Sequence, residues 1–370
     1  MNRYWSLAVG SPLIVALGVV VYSSMGGARP GVEQLRKDFS SLEDDMQDAH
    51  QGFLKVMREW RDKVDAAGGD RDAVPKPPDP RVGVMTQMDT LVDTALKTDA
   101  GAALAAQTYL WSIGLEIDLP GAIKRFDRLA AHFPNDPILA EPVSSAQSAW
   151  NVTGDPEGWT RSLERLVEKT TLKDTRLGAL YAMGRIHMQN NDPAGAKQAF
   201  QAIVAQQPGS ETLKQVNGYL YELDHLQPGM VAPDISSRTL DGKDITLASL
   251  RGKPVLVVFW ATWCAICMGE MPYIHDALSA MRERGTPFEV MAVSLDETDE
   301  NLNQKADSFN VPGIRVWQSG GWDTLAAGTY HVIALPTWYL VDAQGVIRAR
   351  DPLGKKLLPA LEALAPSSNQ

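Results

Sequence analysis

The stretch "FWATWCAICMGEMP", Phe259–Pro272, holds both cysteines of a 370-residue chain. Two cysteines can form one disulfide, half of a metal site, or one redox couple. A structural disulfide normally closes a longer loop, because it then removes more unfolded-chain entropy. A bridge between Cys264 and Cys267 stabilises little on that account. The run before them, Pro254–Trp260, is continuously apolar and reads as a buried strand, and Cys264–Arg284 reads as a helix. Cys264 then lies at a helix N-terminus, where free N–H groups and the macrodipole favour a thiolate. The thiolate is the form that attacks a disulfide. Cys267, nearly one turn later, returns beneath Cys264 and can resolve a mixed disulfide. Cys264 is expected to be the nucleophile and Cys267 the resolving thiol.

Two other chemistries fit less well. A structural zinc site takes four ligands, yet the chain has no further cysteine, and His275 and His331 lack paired spacing. A peroxidatic cysteine would want Thr or Ser three residues earlier, whereas Thr262 lies two before Cys264. Neither a metal nor a cofactor is expected.

Outward from the cysteines, the chain alternates strands and helices. Leu226–Pro254 is turn-rich and β-leaning. Phe288–Leu295 reads as a strand and Glu297–Phe309 as a helix. Thr337–Asp342 and Val346–Arg350 read as strands joined by Ala343-Gln344-Gly345, and Lys355–Leu364 as a last helix. Residues 226–370 are thus expected to form a compact α/β domain.

"GKPVLVVFWATWCAICMGEMP" and "ALPTWYLVDAQGVI" together resemble the thioredoxin fold. The likeness is to membrane-anchored thiol–disulfide oxidoreductases of the TlpA/ResA type, over about residues 228–366. It implies an enzyme that exchanges electrons with protein disulfides or dithiols. It also implies a membrane-embedded electron donor, and clients such as apocytochrome c or other envelope proteins. Pro336 matches the family's cis-proline, which shapes the substrate groove together with Leu335, Thr337 and Trp263. Pro272 matches the proline that kinks the active-site helix. Glu270 matches an acid held near the dithiol, placed to exchange protons with the resolving thiol. Two departures stand out. Val258 occupies the place of the buried acid of general thioredoxins, and Ala265-Ile266 lacks the usual proline before the second cysteine.

The upstream half lies outside that resemblance. Residues 84–225 read as all-helical and repetitive. "PGAIKRFDRLAAHFP" (Pro120–Pro134) aligns with "PAGAKQAFQAIVAQQP" (Pro193–Pro208), and Leu163 lies midway between Phe126 and Phe200. The last unit, Leu177–Pro208, resembles a tetratricopeptide repeat, a helical hairpin in which small Ala allows close approach and an aromatic fills the gap. Stacked hairpins present a concave face that suits a partner. Gly68–Gly83 reads as a linker (68–83). Residues 31–67 form an amphipathic helix with a heptad-like stripe. It either packs on the next domain or pairs as a coiled coil.

Between Arg3 and Arg29 there is no charge. About 25 residues in a helix exceed the hydrocarbon core of roughly 30 Å. Residues 1–30 are either an uncleaved signal anchor, a transmembrane helix, or a cleaved signal peptide. Either places the bulk of a multidomain chain outside the cytoplasm, in a bacterial cell envelope. Lys plus Arg number 35 and Asp plus Glu 45, a net charge of −10, which argues against a nucleic-acid partner. A rival reading is a scaffold whose repeats recruit a client and whose thioredoxin-like domain only docks.

Overall fold

The computed structural model describes residues 30–98 and 100–364; the expected signal segment lies outside them. Among the described residues no helix is long and apolar enough to cross a membrane. The chain divides into two compact units, Met1–Pro208 and Gly209–Gln370.

The first unit is helical, from α1 (Pro30–Ala66) and α2 (Arg81–Ala95) through α3 (Gly101–Gly114), α4 (Leu119–His132), α5 (Ala140–Thr153), α6 (Pro156–Lys169), α7 (Lys173–Gln189) and α8 (Pro193–Ala205). The stripe of α1 is used inside this unit. Phe39 and Met46 are buried, and Phe39 stacks on Trp111 at 6.3 Å. The expected linker is partly ordered: Trp60 donates to the Val74 carbonyl, and buried Arg81, the first residue of α2, donates to the Leu115 carbonyl. The repeat is visible at helix starts. Asp118, Asp155 and Asp192 precede α4, α6 and α8, each with a glycine three residues later. Asp155 and Asp192 accept the N–H of Gly158 and Gly195, capping their helices. A Cβ on Gly121, Gly158 or Gly195 would stand 2.2, 2.2 or 2.5 Å from the matching aspartate oxygen. Phe126, Leu163 and Phe200 are all fully buried.

The second unit begins with α9 (Ser210–His225). This helix therefore counts with the C-terminal unit instead of the helical region expected to run to residue 225. The sheet has seven strands: β1 (Ser236–Thr239), β2 (Asp244–Thr246), β3 (Val255–Trp260), β4 (Glu289–Ser294), β5 (Ile314–Trp317), β6 (Thr337–Val341) and β7 (Ile347–Arg350), in spatial order β2-β1-β5-β4-β3-β6-β7. β3, β4 and β5 run parallel; β6 and β7 are antiparallel additions. β3 is central and buried along its whole length, as expected of a strand covered on both faces. α10 (Ala265–Glu283) and α13 (Leu357–Glu362) cover one face. α11 (Leu302–Ser308) is shorter than expected: Asn301 is left-handed, φ 57°, so the acidic run Glu297–Glu300 cannot join the helix. α12 (Leu325–Thr329) and β5 were not foreseen.

α9 is fastened by charge. Glu222 is fully buried and pairs with His331, at 3.0 Å, and with Arg350 at the end of β7. His331 is itself left-handed, φ 45°, and its ring meets Tyr219 edge-on at 4.9 Å. Gly218 makes the space: a Cβ there would stand 2.2 Å from His331 Nε2. A buried carboxylate is tolerated only when so paired.

Candidate active site

β3 ends at Trp260, and the loop Ala261–Trp263 delivers Cys264 to the N-cap of α10. Cys264 and Cys267 form a disulfide, and Cys264 Sγ accepts the Cys267 N–H at 3.1 Å. That amide is one of the free donors of a helix start, and it remains in place for a Cys264 thiolate. Cys264 is 7% exposed and Cys267 is 0% exposed. Of the two cysteines, only Cys264 keeps any exposure. Behind both lies an apolar cluster that includes Val258, Trp260, Met271, Ile274 and Trp338. Among the described residues the indole N–H groups of Trp260 and Trp338 have no hydrogen-bond partner.

Asp296, buried just after β4, was missed by the sequence reading. Its carboxylate accepts the Thr262 N–H at 3.0 Å, the Thr262 hydroxyl at 2.6 Å and the Ser294 hydroxyl at 2.7 Å. Its carbonyl accepts the Trp317 indole N–H. Asp296 thereby fixes the loop two residues before the nucleophile. It lies at the head of an acidic run, and nothing in that run marks it out from the exposed acids that follow.

The other expected residues divide. Trp263 is exposed beside Cys264 and packs on Trp322, ring centroids 6.1 Å apart. The Leu335–Pro336 bond is cis. Leu335 packs against the cluster of the dithiol and also against the cluster on the other face. Thr337 is buried, with its hydroxyl donating to the Ala334 carbonyl, so it braces the loop. Pro272 lies inside α10. Glu270 is half-buried one turn after Cys267, and its Oε2 accepts the Gly354 N–H at 2.7 Å. It thus also holds the turn Gly354–Lys356.

A second half-buried acid is Asp351. Asp351 accepts the Trp338 N–H at 2.7 Å, and burial pushes its carboxyl above the usual range against the pull of that bond and of Arg350. A raised folded-state pKa contributes stability that is present below the ordinary Asp value and is lost as pH rises. Asp351→Asn keeps the acceptor and removes the titration. Its melting temperature should fall less than that of the unaltered protein as pH rises above the ordinary Asp value. Parallel melting curves across that range would refute the assignment.

The AhpC/TSA family matches residues 228–350. The thiol–disulfide oxidoreductase ResA of Bacillus cereus is 33% identical over 130 residues, 35% of this chain and 72% of its own length. The chain belongs to the ResA family of thiol–disulfide oxidoreductases. The thioredoxin-like protein YneN of Bacillus subtilis is 31% identical over 123 residues, covering 33% of this chain and 70% of YneN. A solved thioredoxin domain of a thiol–disulfide oxidoreductase from Bacteroides vulgatus is 28% identical, covers 38% of this chain and 99% of that one, and has a TM-score of 0.35. In this ResA-family chain the α9 residues that fasten the unit, Gly218, Tyr219 and Glu222, all precede the matched segment.

Proposed function

We propose that this protein is an extracytoplasmic enzyme that exchanges electrons with protein disulfides through Cys264 and Cys267. The observation that carries it is the pair's asymmetry: a cysteine at a helix start that keeps some exposure, bonded to a fully buried one. In the reducing direction the Cys264 thiolate attacks a client disulfide. A Cys264–client bond forms and one client thiol leaves. The Cys267 thiolate then attacks Cys264 Sγ. The protein disulfide forms, the second client thiol leaves, and two electrons have passed to the client. Cys267 must first lose a proton, and Glu270 is the acid we assign to take it. Trp263, Leu335, Pro336 and Thr337 form the client groove.

Residues 1–30 deliver or anchor the chain at the cytoplasmic membrane. The helical repeats of residues 84–225 recruit a partner, and a membrane-embedded donor resupplies electrons. Cytochrome c maturation is one pathway that suits this arrangement. The test uses the full chain with Cys267→Ala. Reduced and mixed with a peptide disulfide, it should hold the peptide on Cys264 as a mixed disulfide that dithiothreitol releases. The unaltered protein should release both peptide thiols. Absence of an adduct under these conditions would overturn the exchange mechanism.

A further inference from the structure

The segments around Cys264 expose several apolar side chains. Trp263 is 58% exposed, Ile266 68%, Trp322 43% and Leu325 76%. Trp263 and Trp322 touch, and Ile266 lies between the two cysteines, so these side chains are not scattered singly. An exposed apolar patch of this kind marks an interaction surface. The stretches that carry Cys264, the acidic run and Trp322, residues 254–281, 285–304 and 316–347, contain no lysine or arginine. They carry exposed Glu297, Asp299, Glu300 and Asp323. Glu297 lies within 3.5 Å of where a Gly321 Cβ would stand, next to Trp322. Asp323 completes the same turn, Gly321–Asp323. The lysines that come to the active-site helix are Lys355 and Lys356, in the turn that Glu270 holds.

We infer that the client is a cationic polypeptide segment that places an apolar side chain on the Trp263–Trp322 pair and lysines or arginines against the acidic rim. This rests on the exchange reaction proposed above and names its substrate class. A second copy of this face would meet it with like charge, and so would an anionic lipid surface. Complementary charge raises the encounter rate and suppresses wrong partners, and an aromatic pair supplies the anchor.

The experiment uses the reduced full chain and two peptides with the same internal disulfide and the same neighbouring leucine. One is flanked by three lysines and the other by three glutamates. The lysine peptide should be reduced about tenfold faster at low ionic strength, and the ratio should fall toward one in about 0.5 M salt. The triple variant Glu297→Lys, Asp299→Lys, Glu300→Lys should invert the preference. Trp322→Ala should slow the lysine peptide in high salt as well as low. Equal rates for the two peptides would overturn the inference and leave the exchange reaction standing. If neither peptide is reduced, the exchange reaction fails and the inference with it.

Discussion

Glu222→Ala should lower the stability of the C-terminal unit by about 3–5 kcal/mol. The variant leaves His331 and Arg350 facing a site built for a carboxylate that is fully buried. Arg350 is about a quarter exposed, so solvent can relieve part of the loss and the lower end applies. At roughly 2–4 °C per kcal/mol for a unit of this size, its melting transition should move down by about 6–12 °C. Hydrogen exchange of the β6 amides should speed up in step, because the His331 loop leads into that strand. Glu222→Gln keeps the shape and one acceptor and should fall between the two. An unchanged transition in Glu222→Ala would show that α9 is held by its apolar contacts alone.

Glu270→Gln should slow disulfide exchange by about 10²-fold, the low end for a general acid–base group, since water reaches a half-buried site. The amide oxygen can still accept the Gly354 N–H. The melting temperature should therefore stay within about 2 °C of the parent. The two roles of Glu270 separate in this variant: the turn remains held while the carboxylate that would take the proton is gone. The exchange rate should also lose part of its dependence on pH. Wild-type exchange from mildly acidic to mildly alkaline pH would assign Glu270 to the turn alone, and the proton would have to leave Cys267 by another route.

Much of the site was legible because it is local. Cys264, Cys267, Glu270 and Pro272 lie on one helix, so their spacing is their geometry. β3 was legible as an unbroken apolar run, and β4 as a shorter one, Val290–Val293, between Glu289 and Ser294. What escaped was short or long-range. β5 has four residues and α12 five, too few for a period to emerge. Asp296 acts through folding: it meets Thr262 only because β3 and β4 are neighbours in parallel register. Glu222 reads as an ordinary acid on an amphipathic helix, and its burial depends on residues more than a hundred positions away. Nothing local to 210–225 says that α9 joins the C-terminal unit. The Trp263–Trp322 pair likewise joins two distant loops.

The Asp-x-x-Gly helix starts of the first unit bear on how such a chain can change through descent. At Gly121, Gly158 and Gly195 an added methyl would collide with the aspartate three residues earlier. A mutation at either member of a pair is thus judged by its companion. Drift there should go by joint replacement, and a lone glycine change should be purged. Hydrophobic positions have wider licence, since many side chains fill the same volume. Copies of the unit can diverge until no aromatic or leucine pattern survives, while an Asp-x-x-Gly signpost still marks where each copy begins.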